Sequence, residues 1–104
     1  MKNFDQYTVR ADVLKALAHP ARLLIIDLLE SGEMCVCDIT EKVGADISTV
    51  SRHLDKLRLA GIIEKRKDGT KVLYKLQMSC LAGVFTCVDN VLKQQAEKLK
   101  SLVS

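Results

Sequence analysis

A chain of 104 residues with 48% hydrophobic content and no tryptophan has room for one small core, which excludes a multidomain architecture and makes a second subunit a useful support. The net charge of +3 is modest, but eight basic residues against three acidic ones fall between Arg52 and Lys75, a local +5 that leaves the remainder at −2 and suits a polyanionic partner. No apolar run is long enough to span a bilayer, and the opening MKNFDQYTVRADVL lacks a secretion signal, so the chain reads as cytoplasmic with no membrane partner.

Residues 1–104 read as one domain. Residues 1–7 look like a loose arm. From Thr8 to Ala18, Val9, Val13, Leu14 and Leu17 recur at helical spacing, and this first helix stops at His19-Pro20, because the residue before a proline is pushed out of the α region. Pro20 opens a second helix to Ser31, with Leu24, Ile25, Leu28 and Leu29 on its inner face and Gly32 just past its end. A short third helix follows over about Cys35 to Lys42, striped by Val36, Ile39 and Val43 and closed by Gly44. Two starts compete, Cys35 as cap with Asp38 at the third position, or Asp38 as cap with Glu41; the stripe favours the first.

Asp46 suits the N-cap of a fourth helix, Ile47 to Ala60, whose inner face is Ile47, Val50, Leu54 and Leu57. Its other face carries Ser48, Thr49, Ser51, Arg52, His53 and Lys56. Taken alone these make an ordinary solvated face. After a short helix and the turn Gly44-Ala45-Asp46, they become the donors of a helix that enters a major groove of double-stranded DNA.

Beyond Gly61 the period changes. Ile62 to Lys67 and Lys71 to Leu76 flank Asp68-Gly69-Thr70 as a β-hairpin, whose Lys65, Arg66, Lys67 and Lys71 can lie along phosphates or simply protect an edge. A last helix, about 79–102, carries Leu81, Val84, Phe85, Val88, Val91, Leu92, Leu99 and Leu102, a stripe too long for so small a domain to bury alone. Pairing with a second copy, the first helix contributing, gives a two-fold homodimer. The expected fold is mainly α with a small β-hairpin, a winged helix-turn-helix dimerising through its terminal helices.

Three passages in order, LKALAHPARLLIIDLL, MCVCDI followed by STVSRHLDKLRLAGII, and KRKDGTKVLYKL, resemble the ArsR/SmtB family of metal- and metalloid-responsive repressors over most of residues 10–76. The resemblance implies a dimeric winged helix-turn-helix repressor that binds an imperfect inverted repeat and releases it on binding an inducer. CVCD is similar to the arsenite/antimonite-sensing subgroup and to the Cd(II)/Pb(II)-sensing one, with Cys35 and Cys37 matching the central thiol ligands. The Cd(II)/Pb(II) pattern also uses cysteines in the N-terminal arm, and residues 1–34 have none. Arsenic sensors of the CVCDxC kind place a third cysteine where this chain has Thr40, so the third ligand is open. Zinc- and cobalt-type sites on the last helix need histidine, which is absent after His53.

The four cysteines, Cys35, Cys37, Cys80 and Cys87, with no secretion signal, read as free thiols or metal ligands. Trivalent arsenic and antimony are soft and favour a pyramid of about three thiolates. Cys35 and Cys37 supply two; Cys80 and Cys87, seven apart, are either buried small hydrophobes at the dimer seam or the source of a third. On an intact helix, residues i and i+2 point roughly 200° apart, so capture of one ion by both thiols unwinds the start of the third helix and displaces the DNA-reading helix beside it. A redox or persulfide sensor of the same fold is the nearest rival, with Cys37 bridging to Cys80 or Cys87. A thiol oxidoreductase fits poorly, since the spacing is CxC and no strand-helix-strand pattern surrounds it. No general-base constellation points to an enzyme.

Overall fold

The computed structural model describes residues 4–103. In chain order its elements are α1 (Phe4–Leu17), α2 (Pro20–Glu30), β1 (Met34–Cys35), α3 (Val36–Val43), α4 (Ile47–Leu59), β2 (Ile63–Asp68), β3 (Lys71–Leu76) and α5 (Leu81–Val103). This is a helix-turn-helix with a β wing. The first helix starts four residues earlier than its apolar spacing suggests, so residues 4–7 are helical and not a loose arm; the rest of that arm lies outside the described residues. Asp5 in the first turn complements the helix dipole, and the Thr8 hydroxyl donates to the Phe4 carbonyl.

The break between α1 and α2 is where proline requires it. His19 is extended at φ −150° and ψ 130°, and its Nδ1 accepts the Ala21 N–H at 3.1 Å, capping α2 with Pro20 in its first turn. At the other end of the domain's short helix, α3, Gly44 takes φ +76°, which closes the helix and re-aims the chain into α4. Of the two competing starts for α3, the structure has the first, with Cys35 at the N-cap.

The core gathers Leu17, Ile25, Ile26 and Leu29 with Ile39, Val50, Leu54 and Leu57, and the wing's base adds Ile62, Ile63 and Tyr74. Two inner-face assignments change. Ile47 is 53% exposed, because it sits at the first residue of α4, past the side chains that cover Val50 one turn later. On α2, Ile26 is fully buried and Leu24 is exposed, so the buried face is turned toward Ile25, Ile26 and Leu29.

The wing is a three-stranded antiparallel sheet in the order β1-β3-β2. Asp68 pairs with Lys71 across a two-residue turn, with Gly69 at φ +64°, a conformation costly for a side chain and matching a turn with its glycine first. The strand β1, unforeseen in the sequence, pairs Met34 with Tyr74 and Cys35 with Leu73. Past Leu81, which is buried, and Phe85, which is half-buried, α5 leaves the domain: Val88 is 50% exposed and Leu102 79%.

Candidate nucleic-acid interface and thiol site

The packing of α4 on α3 and on the core through Val50, Leu54 and Leu57 fixes which of its residues face outward. Ser48, Arg52 and Lys56 are exposed, and Thr49, Ser51 and His53 are half-buried. Asp46 stands at the N-cap, but its carboxylate accepts the Ser48 hydroxyl at 2.6 Å; that bond is the main reason its pKa lies below the usual carboxylate range.

His53 is placed differently from its neighbours. Its Nδ1 accepts the Arg22 Nε–H at 3.1 Å, and its ring stands 4.4 Å from that of His19, tilted by 50°. The same guanidinium donates from Nη1 to the Ala16 carbonyl at 3.2 Å, so Arg22 joins the end of α1 to the middle of α4. Burial pushes the His53 imidazole below its ordinary value, and the positive surroundings of His19, Arg22 and Arg52 push it further. These side chains, with Thr49, Asp55, Lys56 and Leu59, line a groove of about 440 Å³. The sequence does not show Arg22 and His19 in this role, since Arg22 and His53 are 31 positions apart and leave no local signal.

The four wing cations, all exposed, divide between two faces. Alternate residues of a strand share a side, so Lys65 and Lys67 lie on the side of Tyr74 and Val72, while Arg66 and Lys71 lie on the other. Arg66 is engaged there: Nε and Nη2 donate to the two carboxylate oxygens of Glu33 at 2.7 and 2.8 Å. The hydrogen bond from Arg66 holds the Glu33 carboxyl below the usual range.

All four cysteines are free thiols. Cys35 is half-buried and extended, at φ −78° and ψ 156°, and its sulfur makes no capping hydrogen bond. Cys37 is exposed in the first turn of α3. Only one of the pair is therefore helical, and the opposed projection expected of two helical residues does not apply to them. Cys80, just before α5, and Cys87, on it, are also exposed. Among the described residues no three His, Cys, Asp or Glu side chains gather in a way that holds a metal ion, and no third donor stands beside Cys35 and Cys37 in this arrangement. Thr40, at the position of the third cysteine in CVCDxC, donates its hydroxyl to the Val36 carbonyl at 2.7 Å and ties down the first turn between the two thiols. No helix among the described residues is long and apolar enough to cross a membrane.

The chain is similar to known regulators along most of its length. Residues 19–65 match the family model described as bacterial regulatory protein, arsR family. An uncharacterized HTH-type transcriptional regulator of Methanocaldococcus jannaschii is 36% identical over 88 residues, 84% of this chain and 99% of that protein. The arsenical resistance operon repressor of Escherichia coli is 36% identical over 92 residues, covering 88% of this chain and 79% of that one. The solution structure of a homodimeric winged helix-turn-helix DNA-binding domain from Mycobacterium bovis, a possible ArsR-family transcriptional regulator, superposes with a TM-score of 0.77 at 34% identity, over 90% of this chain and 87% of that one. With the helix-turn-helix, the basic wing and these relatives in agreement, the chain belongs to the arsR family of bacterial regulatory proteins, DNA-binding transcriptional regulators and not enzymes.

Proposed function

We propose that the protein is a cytoplasmic, dimeric repressor that holds an inverted-repeat operator and releases it when As(III) or Sb(III) is bound by the thiolates of Cys35 and Cys37. The observation that carries this reading is the place of Cys35: it ends β1, which pairs with the wing strand β3, and it caps α3, which packs on α4. A ligand shared by Cys35 and Cys37 would pull on the first turn of α3, which the Thr40 to Val36 bond secures, and that joint connects both elements proposed to face DNA. The softness of the donors favours trivalent arsenic and antimony over harder ions, and similarity to an arsenical resistance repressor points the same way. Cys80 or Cys87, from the same chain or the second one, is the protein source left for a third thiolate. Cd(II) and Pb(II) are the alternative inducers.

Ser48, Thr49, Ser51, Arg52 and Lys56 of α4 would serve the major groove, with His53 beside them and held by Arg22, and Lys65, Arg66, Lys67 and Lys71 the flanking phosphates. Dimerisation is supported by the apolar side chains that α5 leaves exposed and by the homodimeric relative. The test is DNA binding by the purified chain, followed by fluorescence anisotropy and titrated with As(III), Sb(III), Cd(II), Pb(II) and Zn(II). As(III) and Sb(III) are expected to release the duplex at the lowest concentrations, and Cys37→Ser to stay bound. Release of Cys37→Ser as readily as the parent chain would sink the proposal.

Exposure of Cys37, Cys80 and Cys87 favours a second reading, a repressor that senses oxidants or persulfides through a disulfide. Mass measurement separates the two. An arsenic adduct with no disulfide supports the first, and loss of two protons without added arsenic on oxidant treatment, coupled to DNA release, supports the second.

A further inference from the structure

We infer that Arg22 and His53 form a latch that positions the DNA-reading helix, that Arg22 is a positioning residue for DNA binding, and that the latch closes only while His53 Nδ1 carries no proton. The inference rests on the DNA-binding role of α4 and is independent of the inducer.

The apolar side of α4 is held by Val50, Leu54 and Leu57, all fully buried, and a polar contact on its other side adds a second, directional restraint. The latch supplies direction. One guanidinium donates to His53 Nδ1 at 3.1 Å and to the Ala16 carbonyl at 3.2 Å, so α4 is indexed to the end of α1 through a side chain rooted on α2. His53 lies between Arg52 and Lys56 in sequence, and its ring shares one groove with both and with Thr49. A shift of His53 therefore moves the residues placed to touch DNA.

Guanidinium is a donor only, so Nδ1 must offer a lone pair. Protonation converts Nδ1 to a donor and sets an imidazolium against a guanidinium. The titratable and charged groups that line the groove around the ring are His19 from the α1 to α2 junction, Arg22 from α2, and Arg52, Asp55 and Lys56 from α4 itself. Asp55 is the one carboxylate among the described residues that line the groove, and it lies 3.7 Å from Arg58. The surroundings thus oppose a positive ring, in keeping with the lowered basicity of His53.

A histidine that instead met a DNA phosphate would gain from its proton, so the two roles predict opposite responses to acid. The duplex for the test is one selected by the purified full chain from a random-sequence pool, with affinity read by anisotropy at fixed salt. On acidification from about pH 7.5 to about pH 5.5 the parent chain is expected to lose about tenfold more affinity than His53→Gln, whose amide oxygen accepts from Arg22 but does not titrate. Arg22→Gln should lose affinity at neutral pH and show the same flattened profile, with Arg22→Lys restoring part of the affinity. Coincident pH profiles for the parent and His53→Gln, or a parent affinity that rises with acid relative to His53→Gln, overturn the inference. If Arg22→Gln fails to fold, the His53 comparison still decides, together with an NMR titration of the His53 ring in the full chain, where protonation must track the loss of affinity.

Discussion

Arg66 shows how a side chain counted as a DNA contact can be committed elsewhere. In the free protein its guanidinium is bound by both oxygens of Glu33, on the wing face opposite Lys65 and Lys67. The pair is exposed, and solvent and salt screen such pairs so that they stabilise folds little. Its effect is expected on binding. Glu33→Gln keeps the size of the side chain, removes a negative charge beside Arg66 and Lys75, and frees the guanidinium for phosphate. Tighter DNA binding is expected, with a salt dependence steeper by about one unit of slope and little change in thermal midpoint. An unchanged slope would mean that Arg66 does not reach the backbone. His53 illustrates the same principle from the other direction. Because its folded-state basicity is lowered, the unfolded chain takes up its proton first, so its contribution to stability is present above about pH 6.5 and is lost as pH falls through the folded value.

At the scale of elements, the helices were legible because their stripes recur over several turns, and the wing because a glycine turn separates two β-rich runs. Gly44 and His19-Pro20 marked their breaks for the same local reasons the structure displays. The strand β1 was not legible: two residues have no period, and what makes Met34 and Cys35 a strand is the distant β3. The contacts from Arg22 to His53 and Glu33 to Arg66 were hidden likewise, since each joins residues more than thirty apart. Of the candidate site, the helix-turn-helix and the basic composition of the wing were legible in the sequence, while the partition of cations between faces needed the register. The short α3 carries a prediction of its own. Thr40 sits one turn from Cys37 and secures the Val36 carbonyl. Thr40→Cys removes that tie and adds a soft donor in the CVCDxC pattern, so DNA release should occur at about tenfold lower As(III). Equal sensitivity of Thr40→Cys and the parent would show that the third thiolate is already supplied from elsewhere, and Cys80→Ser and Cys87→Ser would then identify the source.

For the whole molecule, the decisive feature is a 23-residue helix, on the order of 35 Å long, that its own domain covers only at the start. Val84, Val88, Val91, Leu92 and Leu99 are all about half exposed or more, as are Val9 and Leu14 on α1. Burying a valine or leucine contributes roughly 1.5–3 kcal/mol, so a two-fold pairing of these faces gains far more than one domain loses by leaving them bare. Pairing also fixes the spacing of two reading helices, which a single chain cannot do, and binding of the first half-site then raises the effective concentration of the second. Leu92→Glu places a charge in this surface without touching the core of one chain, because Leu92 is 56% exposed there. The variant should keep its helical circular dichroism, sediment as a monomer at concentrations where the parent is a dimer, and bind a two-half-site duplex at least about a hundredfold more weakly. Binding to a duplex with one half-site should fall much less. A Leu92→Glu chain that still sediments as a dimer would place the subunit contact elsewhere, and equal losses on both duplexes would show that α5 acts on the reading helix itself and not through the spacing of two.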